Sequence, residues 1–290
     1  MAGKTILLTG ASSGFGLHAV KLLLGRGHRV IAGVRGGAER LKKLAEGDSA
    51  LSDALASGRL AGLDLHMDKP ETFGAAEKYI DESCGSRLDV LVNNAGYGLM
   101  GPVELHSEEE LRHQFEVNFF GPVFLTQRLL PRLKSAKGTI LNVSSIVGVT
   151  CFPFYGSYSA SKHALDSYTE GLYYDMAPFG VRVGLIEPGG FKTDFNKASF
   201  YGEKARSPDS GYHSKIENFK AAARRRSETT GGDPAAVARL IVRLCEARRV
   251  PLRTLAGADA KSAALLKRLL PESLRARLMS FVFNRFVFKS

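Results

Sequence analysis

Tyr158 and Lys162 form a pair of side chains that could transfer a proton to or from a substrate. Their i,i+4 spacing places them on one face of a helix. A free tyrosine has a pKa of about 10 and is a poor acid or base at neutral pH, but an adjacent ammonium favours the phenolate. Ser145, thirteen residues before Tyr158, adds a hydroxyl that could bond the same substrate oxygen. These three groups predict acid–base chemistry on a carbonyl or an alcohol.

A glycine-rich turn near the start of the chain predicts a site for a nucleotide phosphate. The apolar run 4–9 indicates a buried strand, and residues 17–24 have helical spacing. Gly10, Gly14 and Gly16 lie between them, where backbone N–H groups at a helix start would face a pyrophosphate. Their Gly-x3-Gly-x-Gly spacing differs from the Gly-x-Gly-x-x-Gly dinucleotide fingerprint. A glycine turn without a ligand is the alternative.

Five motifs together resemble those of the short-chain dehydrogenase/reductase family, in order and in spacing, over residues 3 to about 257. The ordered set is far more specific than any single member. Residues 187–193 and 257–260 further resemble the branch that contains the 17β-hydroxysteroid and retinol dehydrogenases. The five motifs are residues 9–16, Asp64-Leu65, residues 93–96, Ser145 with Tyr158-x3-Lys162, and Pro188-Gly189.

The resemblance implies roles for individual residues. Tyr158 would donate a proton to a carbonyl oxygen during reduction and remove it during oxidation. Lys162 would lower the pKa of that phenol and hold the nicotinamide ribose, while Ser145 would bond the substrate oxygen. Asn118 matches a helix asparagine that holds a water in the proton relay. The implied cofactor-binding residues are Gly10, Ser12, Ser13, Gly14, Phe15, Gly16, Arg35, Asp64, Leu65, Asn93, Ala95, Gly96, Tyr158, Lys162, Pro188, Gly189, Phe191 and Thr193.

The end of the second predicted strand favours NADP(H) over NAD(H). NAD enzymes of this kind usually carry an acidic residue there, which binds the adenosine 2′-hydroxyl. This chain has Arg35 after Val34, and its first acidic residue is Glu39. A guanidinium could form a two-bond contact with a 2′-phosphate, and Ser13 could assist. A surface arginine without a ligand is the alternative.

Strand signals alternate with helix signals, which predicts an α/β fold: a single-domain, doubly wound parallel sheet of the Rossmann type. Residues 1–257 would form the dinucleotide-binding catalytic domain, with a polar substrate loop at about 190–230. Residues 258–290 would be a helical C-terminal extension of the same domain. We expect strands at 4–9, 29–34, 60–65, 88–92, 139–143 and 181–186, and helices at 70–83, 107–135 and 157–177.

Composition restricts the function classes. Cys84, Cys151 and Cys245 are far apart in sequence, which favours free thiols in a reducing, cytoplasmic location. The seven histidines show no metal-binding spacing, so no metal site is expected, and no apolar run reaches the length of a membrane span. The net charge of +11 comes from residues 220–290, which hold 16 basic and 5 acidic residues. No nucleic-acid motif accompanies this excess, so we expect a solvated basic face and no nucleic-acid partner.

The C-terminal segment 272–290 could contact an anionic membrane surface. Leu274, Leu278, Phe281 and Val282 would lie on one face of a helix that starts at Pro271. Its basic residues would suit anionic lipids. A tail packed over the substrate pocket, or a subunit contact, is the alternative. The basic residues are Arg275, Arg277, Arg285 and Lys289.

We therefore predict an NADP(H)-dependent oxidoreductase that interconverts a lipophilic ketone or aldehyde and its alcohol. Residues 148–154, Phe191, Phe195 and Phe200 would line an apolar pocket for a steroid, retinoid or similar lipid. A homo-oligomer is expected. Two alternatives remain open. One is a reductase of polar or acyl-carrier-linked ketones, and the other is a binding protein that senses NADP(H) without turnover.

Overall fold

A seven-stranded parallel sheet forms the centre of the protein, in the order β3-β2-β1-β4-β6-β7-β9. The computed structural model describes residues 3–193, 195 and 199–285. Two short strands, β5 and β8, pair separately. The strands are β1 (Thr5–Thr9), β2 (Arg29–Val34), β3 (Leu60–Asp64), β4 (Val90–Asn93), β5 (Leu99–Met100), β6 (Thr139–Val143), β7 (Arg182–Pro188), β8 (Phe200–Tyr201) and β9 (Arg253–Ala256).

Helices connect these strands and cover both faces of the sheet. A π-helical segment, Glu116–Phe120, joins α5 to α6. The α-helices are α1 (Gly14–Gly25), α2 (Gly37–Ala45), α3 (Ser49–Ala56), α4 (Gly74–Ser83), α5 (Glu108–Phe115), α6 (Gly121–Ser135), α7 (Ile146–Val149), α8 (Gly156–Met176), α9 (Glu203–Arg206), α10 (His213–Thr230), α11 (Pro234–Glu246), α12 (Ala258–Leu269) and α13 (Glu272–Phe283).

Continuous apolar runs form the central strands because both faces of a parallel sheet are buried. In β1, Ile6, Leu7 and Leu8 are all inaccessible to solvent. Side chains alternate along a strand, so Ile6 and Leu8 enter one core while Leu7 enters the other. The first core contains residues of α1 and α11, and the second contains residues of α4, α6 and α8.

The strand order places a crevice at the carboxyl ends of β1 and β4. Strand β1 pairs with β2 on one side and with β4 on the other. The chain therefore winds outward in both directions from this pair. In open α/β sheets, the point where the winding direction reverses is where ligands bind. The glycine turn after β1 and residues 93–96 after β4 lie at that edge.

The predicted fold class is confirmed, and two strands have the predicted bounds, 29–34 and 139–143. The last strand, β9, was not predicted, because its four residues offer too short an apolar run. The region 199–230 is not only a loop, since it contains the eighteen-residue helix α10. Buried Ile216 and the aromatic contacts of Phe219 hold this polar helix against the protein.

No helix within residues 3–193 or 199–285 is long and apolar enough to cross a membrane. A cluster of three or more histidine, cysteine or carboxylate side chains that could hold a metal ion is likewise absent from the described residues. The three cysteines are free thiols. Burial raises the pKa of the Cys245 thiol to about 12.

Replacement of Gly16 by alanine should destabilise the fold, because the added Cβ would lie 2.2 Å from the backbone oxygen of Gly10. We expect Gly16→Ala to lower the free energy of unfolding by about 1–3 kcal/mol. Gly25→Ala in the same helix is the control, since nothing lies within 4 Å of its added Cβ. Urea denaturation of both variants measures the difference. Equal stability of the two would contradict the close approach of α1 to the glycine turn.

Candidate active site

Helix α8 places Tyr158 and Lys162 in the protein interior at the carboxyl edge of the sheet. The two side chains are 5% and 3% exposed, so the predicted i,i+4 pair lies on the buried face of the helix. The Lys162 ammonium donates a hydrogen bond of 3.0 Å to the backbone oxygen of Val143, at the end of β6. This contact fixes the amine next to the end of a central strand.

Ser145 lies between β6 and α7 and caps that short helix. Its Oγ accepts a 3.3 Å hydrogen bond from the N–H of Val147. Hydrogen bonding to Ser145 also acts on the phenol of Tyr158, so the predicted hydroxyl and phenol are neighbours. Ser144 is 5% exposed, and its Oγ has no partner among the described residues. The structure therefore pairs Tyr158 with Ser145 rather than Ser144.

Asn118 lies in the π-helical segment and is fully buried. Its Oδ1 accepts from the N–H of Tyr97 at 3.1 Å, and its Nδ2 donates to the Tyr97 oxygen and to Ser161 Oγ. A Cβ added at Gly96 would lie 3.0 Å from Asn118 Oδ1 and 3.5 Å from Lys162 Nζ. Gly96 thus leaves space where the asparagine and the lysine converge. A π-helical turn often accompanies a functional site in this way.

Burial controls the protonation of the Tyr158–Lys162 pair. It raises the pKa of Tyr158, and the hydrogen bond to Ser145 acts in the opposite direction. Burial lowers the pKa of Lys162 to about 8, against the negative charge of Asp166. The expected net lowering of the Tyr158 pKa is therefore not what this structure has. The Lys162 ammonium donates its hydrogen bond to the Val143 carbonyl. Desolvation of the phenol is therefore the largest influence on the pKa of Tyr158.

The glycine turn is held against the end of β4 by Asn94 and Thr9. Asn94 Nδ2 donates to the backbone oxygens of Thr9 and Gly10, and Thr9 Oγ1 accepts from the N–H groups of Asn94 and Ala95. Gly10 has a φ of 67°, and a Cβ there would lie 2.8 Å from the Cα of Ala95. The close approach explains why glycine is needed at this position.

The end of β2 presents an exposed Arg35 that forms no ion pair or hydrogen bond with any described residue. Gly36 follows with a φ of 84° and leads into α2. The Asp64 carboxylate accepts from the Gly36 N–H at 2.8 Å and contacts His66 at 2.9 Å. Asp64 therefore orders the turn that carries Arg35, a role that the sequence did not indicate.

The segment after β7 is held by a residue that sequence reasoning did not assign. Asp259, in the first turn of α12, accepts from the Gly190 N–H at 2.7 Å. A Cβ on Gly189 would lie 2.0 Å from its carboxylate. Phe191 packs edge-on against Phe15 at 5.5 Å. In the sequence, the segment 257–260 indicated only a resemblance to one branch of a family. It did not indicate that Asp259 holds the loop after β7.

The predicted site residues differ in where their side chains point. Ser12, Gly14 and Thr193 lie at the ligand edge, and a Cβ on Gly14 would lie 3.6 Å from Thr193 Cβ. The Asn93 amide instead points into the sheet, where it donates to Thr126 and Asn142. Leu65 is 3% exposed and belongs to the core. The side chains of these last two residues therefore serve the interior of the protein.

A cleft of about 710 Å³ lies beside the glycine turn, with Gly14 and His18 in its lining. Met100 and Tyr155 also line it, and both belong to the apolar cluster that contains Tyr158. Helix α10 borders the cleft with Lys220 and Arg224. Such a cleft is large enough for a cofactor end and an organic substrate together.

The predicted aromatic pocket is only partly assembled. Phe195 lies 5.5 Å from Tyr158 between ring centres, and Phe152 belongs to the same apolar cluster. Phe154 instead packs with Phe283 and with residues of α10, while Phe200 is 37% exposed. The segment 148–154 therefore divides between two apolar clusters.

Comparisons with known proteins agree with this geometry. The sequence model of short chain dehydrogenases matches residues 4–204. The chain belongs to the short-chain dehydrogenase/reductase family. A 3-ketodihydrosphingosine reductase of Bacteroides thetaiotaomicron is 34% identical over 258 residues, which cover 89% of each chain. The protein is thus an oxidoreductase of CH–OH and C=O groups, and its substrate is a small molecule.

Solved structures of the family have the same fold. A short-chain dehydrogenase from Streptomyces avermitilis is 33% identical, with a TM-score of 0.78 over 97% of this chain and 96% of its own. One from Burkholderia cenocepacia, in complex with NADP, is 28% identical, with a TM-score of 0.70 over 96% and 98%. A 3-ketoacyl-(acyl-carrier-protein) reductase from Brucella melitensis, complexed with NADH, is 25% identical, with a TM-score of 0.69 over 88% and 98%. Structural neighbours therefore bind either nicotinamide cofactor.

Proposed function

We propose that this protein is an NADP(H)-dependent reductase of lipophilic ketones or aldehydes, with Tyr158 as the proton donor. The same site would catalyse the reverse oxidation of the alcohol. The observation that carries the proposal is the grouping of buried Tyr158, Lys162 and Asn118 with half-buried Ser145 at the carboxyl edge of the sheet. A binding protein without turnover would not need this grouping, which argues against the sensor alternative.

The chemistry follows from the protonation states of the buried pair. NADPH supplies the hydride when it is bound. Tyr158 has a raised pKa and is therefore protonated at neutral pH, which suits donation to a carbonyl oxygen. Ser145 Oγ–H bonds the same oxygen and shares its developing charge. Lys162, with a pKa of about 8, is largely an ammonium at neutral pH and stabilises the phenolate that Tyr158 leaves. Asn118 lies next to Lys162, where it can hold a water that returns the proton.

The residues at the crevice fit a dinucleotide. Gly10 and Gly16 allow the turn and the start of α1 to pack closely against neighbouring backbone, and the N–H groups at the start of α1 are placed to face a pyrophosphate. Arg35 is exposed beside the start of α2 and has no partner among the described residues, so its guanidinium is available for a 2′-phosphate. No carboxylate occupies the position after Val34, where one would favour NAD(H). These features support NADP(H).

The substrate end of the cleft supports a lipophilic carbonyl compound. Tyr158 belongs to an apolar cluster with Met100, Ile146 and Val147, and Phe195 and Phe152 pack next to it. The relative from Bacteroides thetaiotaomicron is named for a long-chain lipid ketone, which agrees with such a pocket. The neighbour from Brucella melitensis is named for an acyl-carrier-linked ketone, so that second substrate class is the alternative.

The C-terminal segment supports contact with an anionic membrane surface. Leu274, Leu278, Phe281 and Val282 of α13 are 41–64% exposed, and Leu265, Leu266 and Leu269 of α12 are also exposed. Arg275, Arg277 and Arg285 supply positive charge, and Lys289 lies outside the described residues. Phe283 faces the other way, and its ring centre lies 5.0 Å from that of Phe154.

We propose that residues 258–290 are an extension of the same domain as residues 1–257.

Exposed aromatic side chains on the π-helical segment, α6 and α8 support a homo-oligomer. Phe120 and Phe124 stack at 5.9 Å between ring centres and are 37% and 39% exposed. Tyr173 and Tyr174 of α8 are also exposed. Exposed aromatic side chains are enriched in subunit contacts.

Tyr158→Phe should lower turnover by about 10² or more, because the phenol that donates the proton is removed. Its affinity for NADPH should stay within a few-fold of wild type. Tyr168→Phe is the matched control, since it removes a half-buried phenol from the same helix, α8, and its i+4 residue is Leu172 rather than a lysine. Absorbance at the NADPH band, with steroids, retinal, aliphatic ketones and acyl thioesters, measures both. Turnover near that of wild type in Tyr158→Phe would refute the proposed function.

Arg35→Asp should shift cofactor preference from NADPH towards NADH, because the carboxylate repels a 2′-phosphate that the guanidinium attracted. The lost contact corresponds to about 1.5–3 kcal/mol. Lys42→Asp, an equal change of charge on the exposed face of α2, should leave the preference unchanged. The ratio of kcat/KM for the two cofactors is the measurement. A wild-type enzyme that already prefers NADH would contradict this assignment.

Leu278→Gln combined with Phe281→Gln should abolish binding to phosphatidylserine vesicles at low salt, because it removes two exposed apolar side chains from the face of α13. Phe179→Gln, at a side chain 48% exposed outside this segment, is the control. Co-sedimentation with phosphatidylserine and with phosphatidylcholine vesicles measures the effect. If the wild-type protein sediments with neither, or if the double variant still binds, the membrane contact does not exist.

A further inference from the structure

Two buried carboxylates and the partly exposed guanidinium of Arg253 form a charged cluster one helical turn from Lys162. Arg253 of β9 donates to Asp166 Oδ2 at 3.1 Å and to Glu187 Oε1 at 2.6 Å. Asp166 is 3% exposed and Glu187 is 1% exposed. Two buried carboxylates thus share one guanidinium. Burying two acids beside one base is costly unless the cluster has a further use.

Asp166 continues the catalytic face of α8. Tyr158, Lys162 and Asp166 follow one another at i, i+4 and i+8, and all three are buried. Asp166 also lies against the serine loop, since a Cβ added at Gly148 would be 2.8 Å from Asp166 Oδ2 and 2.7 Å from Ser144 Oγ. Its Oδ1 is buried and has no hydrogen-bond partner among the described residues. The carboxylate therefore keeps unsatisfied negative charge close to the site.

The charge of Asp166 acts on both members of the catalytic pair. It raises the pKa of Lys162 against the effect of burial, and it also raises the pKa of Tyr158. Burial and the neighbouring Asp166 raise the pKa of Glu187 to about 7, against the effect of Arg253. Among the described residues, the titratable or charged groups facing the pair are Tyr155 and Asp166 of the α8 region, Glu187 of β7 and Arg253 of β9.

We infer that Asp166 is a positioning residue that supplies the counter-charge for Lys162, held in place by Arg253 and adjusted by Glu187. Asp166 touches neither substrate nor cofactor and acts through Lys162. The inference rests on the proposed roles of Tyr158 and Lys162. A purely structural charge cluster that ties α8 to β7 and β9 is the competing explanation, and it predicts no change in the pH dependence of turnover.

The test compares Asp166→Asn with Glu170→Gln. Both changes remove one carboxylate partner of Arg253 from the same face of α8, but Glu170 is 42% exposed at its side chain and one turn farther from Lys162. Loss of the buried negative charge lowers the pKa of Lys162 and of Tyr158. In the reduction direction, kcat/KM at saturating NADPH falls as the pH rises. The pH at which it falls should be about one unit lower in Asp166→Asn than in wild type. In the oxidation direction, the rise of activity with pH should move the same way. Glu170→Gln should follow the wild-type profile.

A folded Asp166→Asn enzyme whose profile coincides with that of wild type overturns the inference. If this variant does not fold, Asp166→Ser decides, because a smaller neutral side chain removes the same charge. A shift of the profile to lower pH supports the counter-charge, and a wild-type profile overturns it. Failure of the proposed function looks different, since wild-type protein would then reduce no carbonyl or Tyr158→Phe would stay active.

Discussion

Removal of the Tyr158–Lys162 face of α8 from water is the constraint on which the rest of the site depends. Desolvation favours the neutral forms, so it raises the pKa of the phenol and lowers that of the amine. A neutral phenol is ready to donate a proton, but an amine that loses its charge cannot stabilise the phenolate. The surroundings must therefore oppose desolvation at Lys162. The Val143 carbonyl does so by accepting its hydrogen bond, and Asp166 does so by its charge.

The same edge of the sheet carries the turn that would bind a large anionic ligand, and glycines allow the backbone to pack closely there. Gly10, Gly16 and Gly96 are each approached by groups that a Cβ would contact at 2.2–3.0 Å. Asn94 joins the backbone ends of β1 and β4 through its side chain and holds the turn in place. The glycine turn and the proton-transfer groups are thus positioned by one set of strand ends.

Local sequence signals sufficed for six of the seven strands of the sheet, for the glycine turn at a strand end and for the common helix face of Tyr158 and Lys162, because each depends on short-range spacing. They could not reveal contacts between distant segments. Asp259 supports Gly190 from sixty-nine residues away, and Asp64 orders the turn at Gly36. The π-helical turn at Asn118 was also hidden, since one extra residue in a helix leaves the apolar pattern nearly unchanged. The net direction of the Tyr158 pKa was missed because burial is a property of the whole fold.

Residues near the C-terminus contact the parts of the chain that form the candidate site. Arg253 donates hydrogen bonds to the two buried acids Asp166 and Glu187, and Asp259 holds the loop after β7. Phe283 then packs on Phe154, which also contacts Phe219 of the helix that borders the cleft. Each step of this path is a direct contact. A partner that bound the exposed face of α13 would therefore act on a helix already in contact with a wall of the substrate cleft.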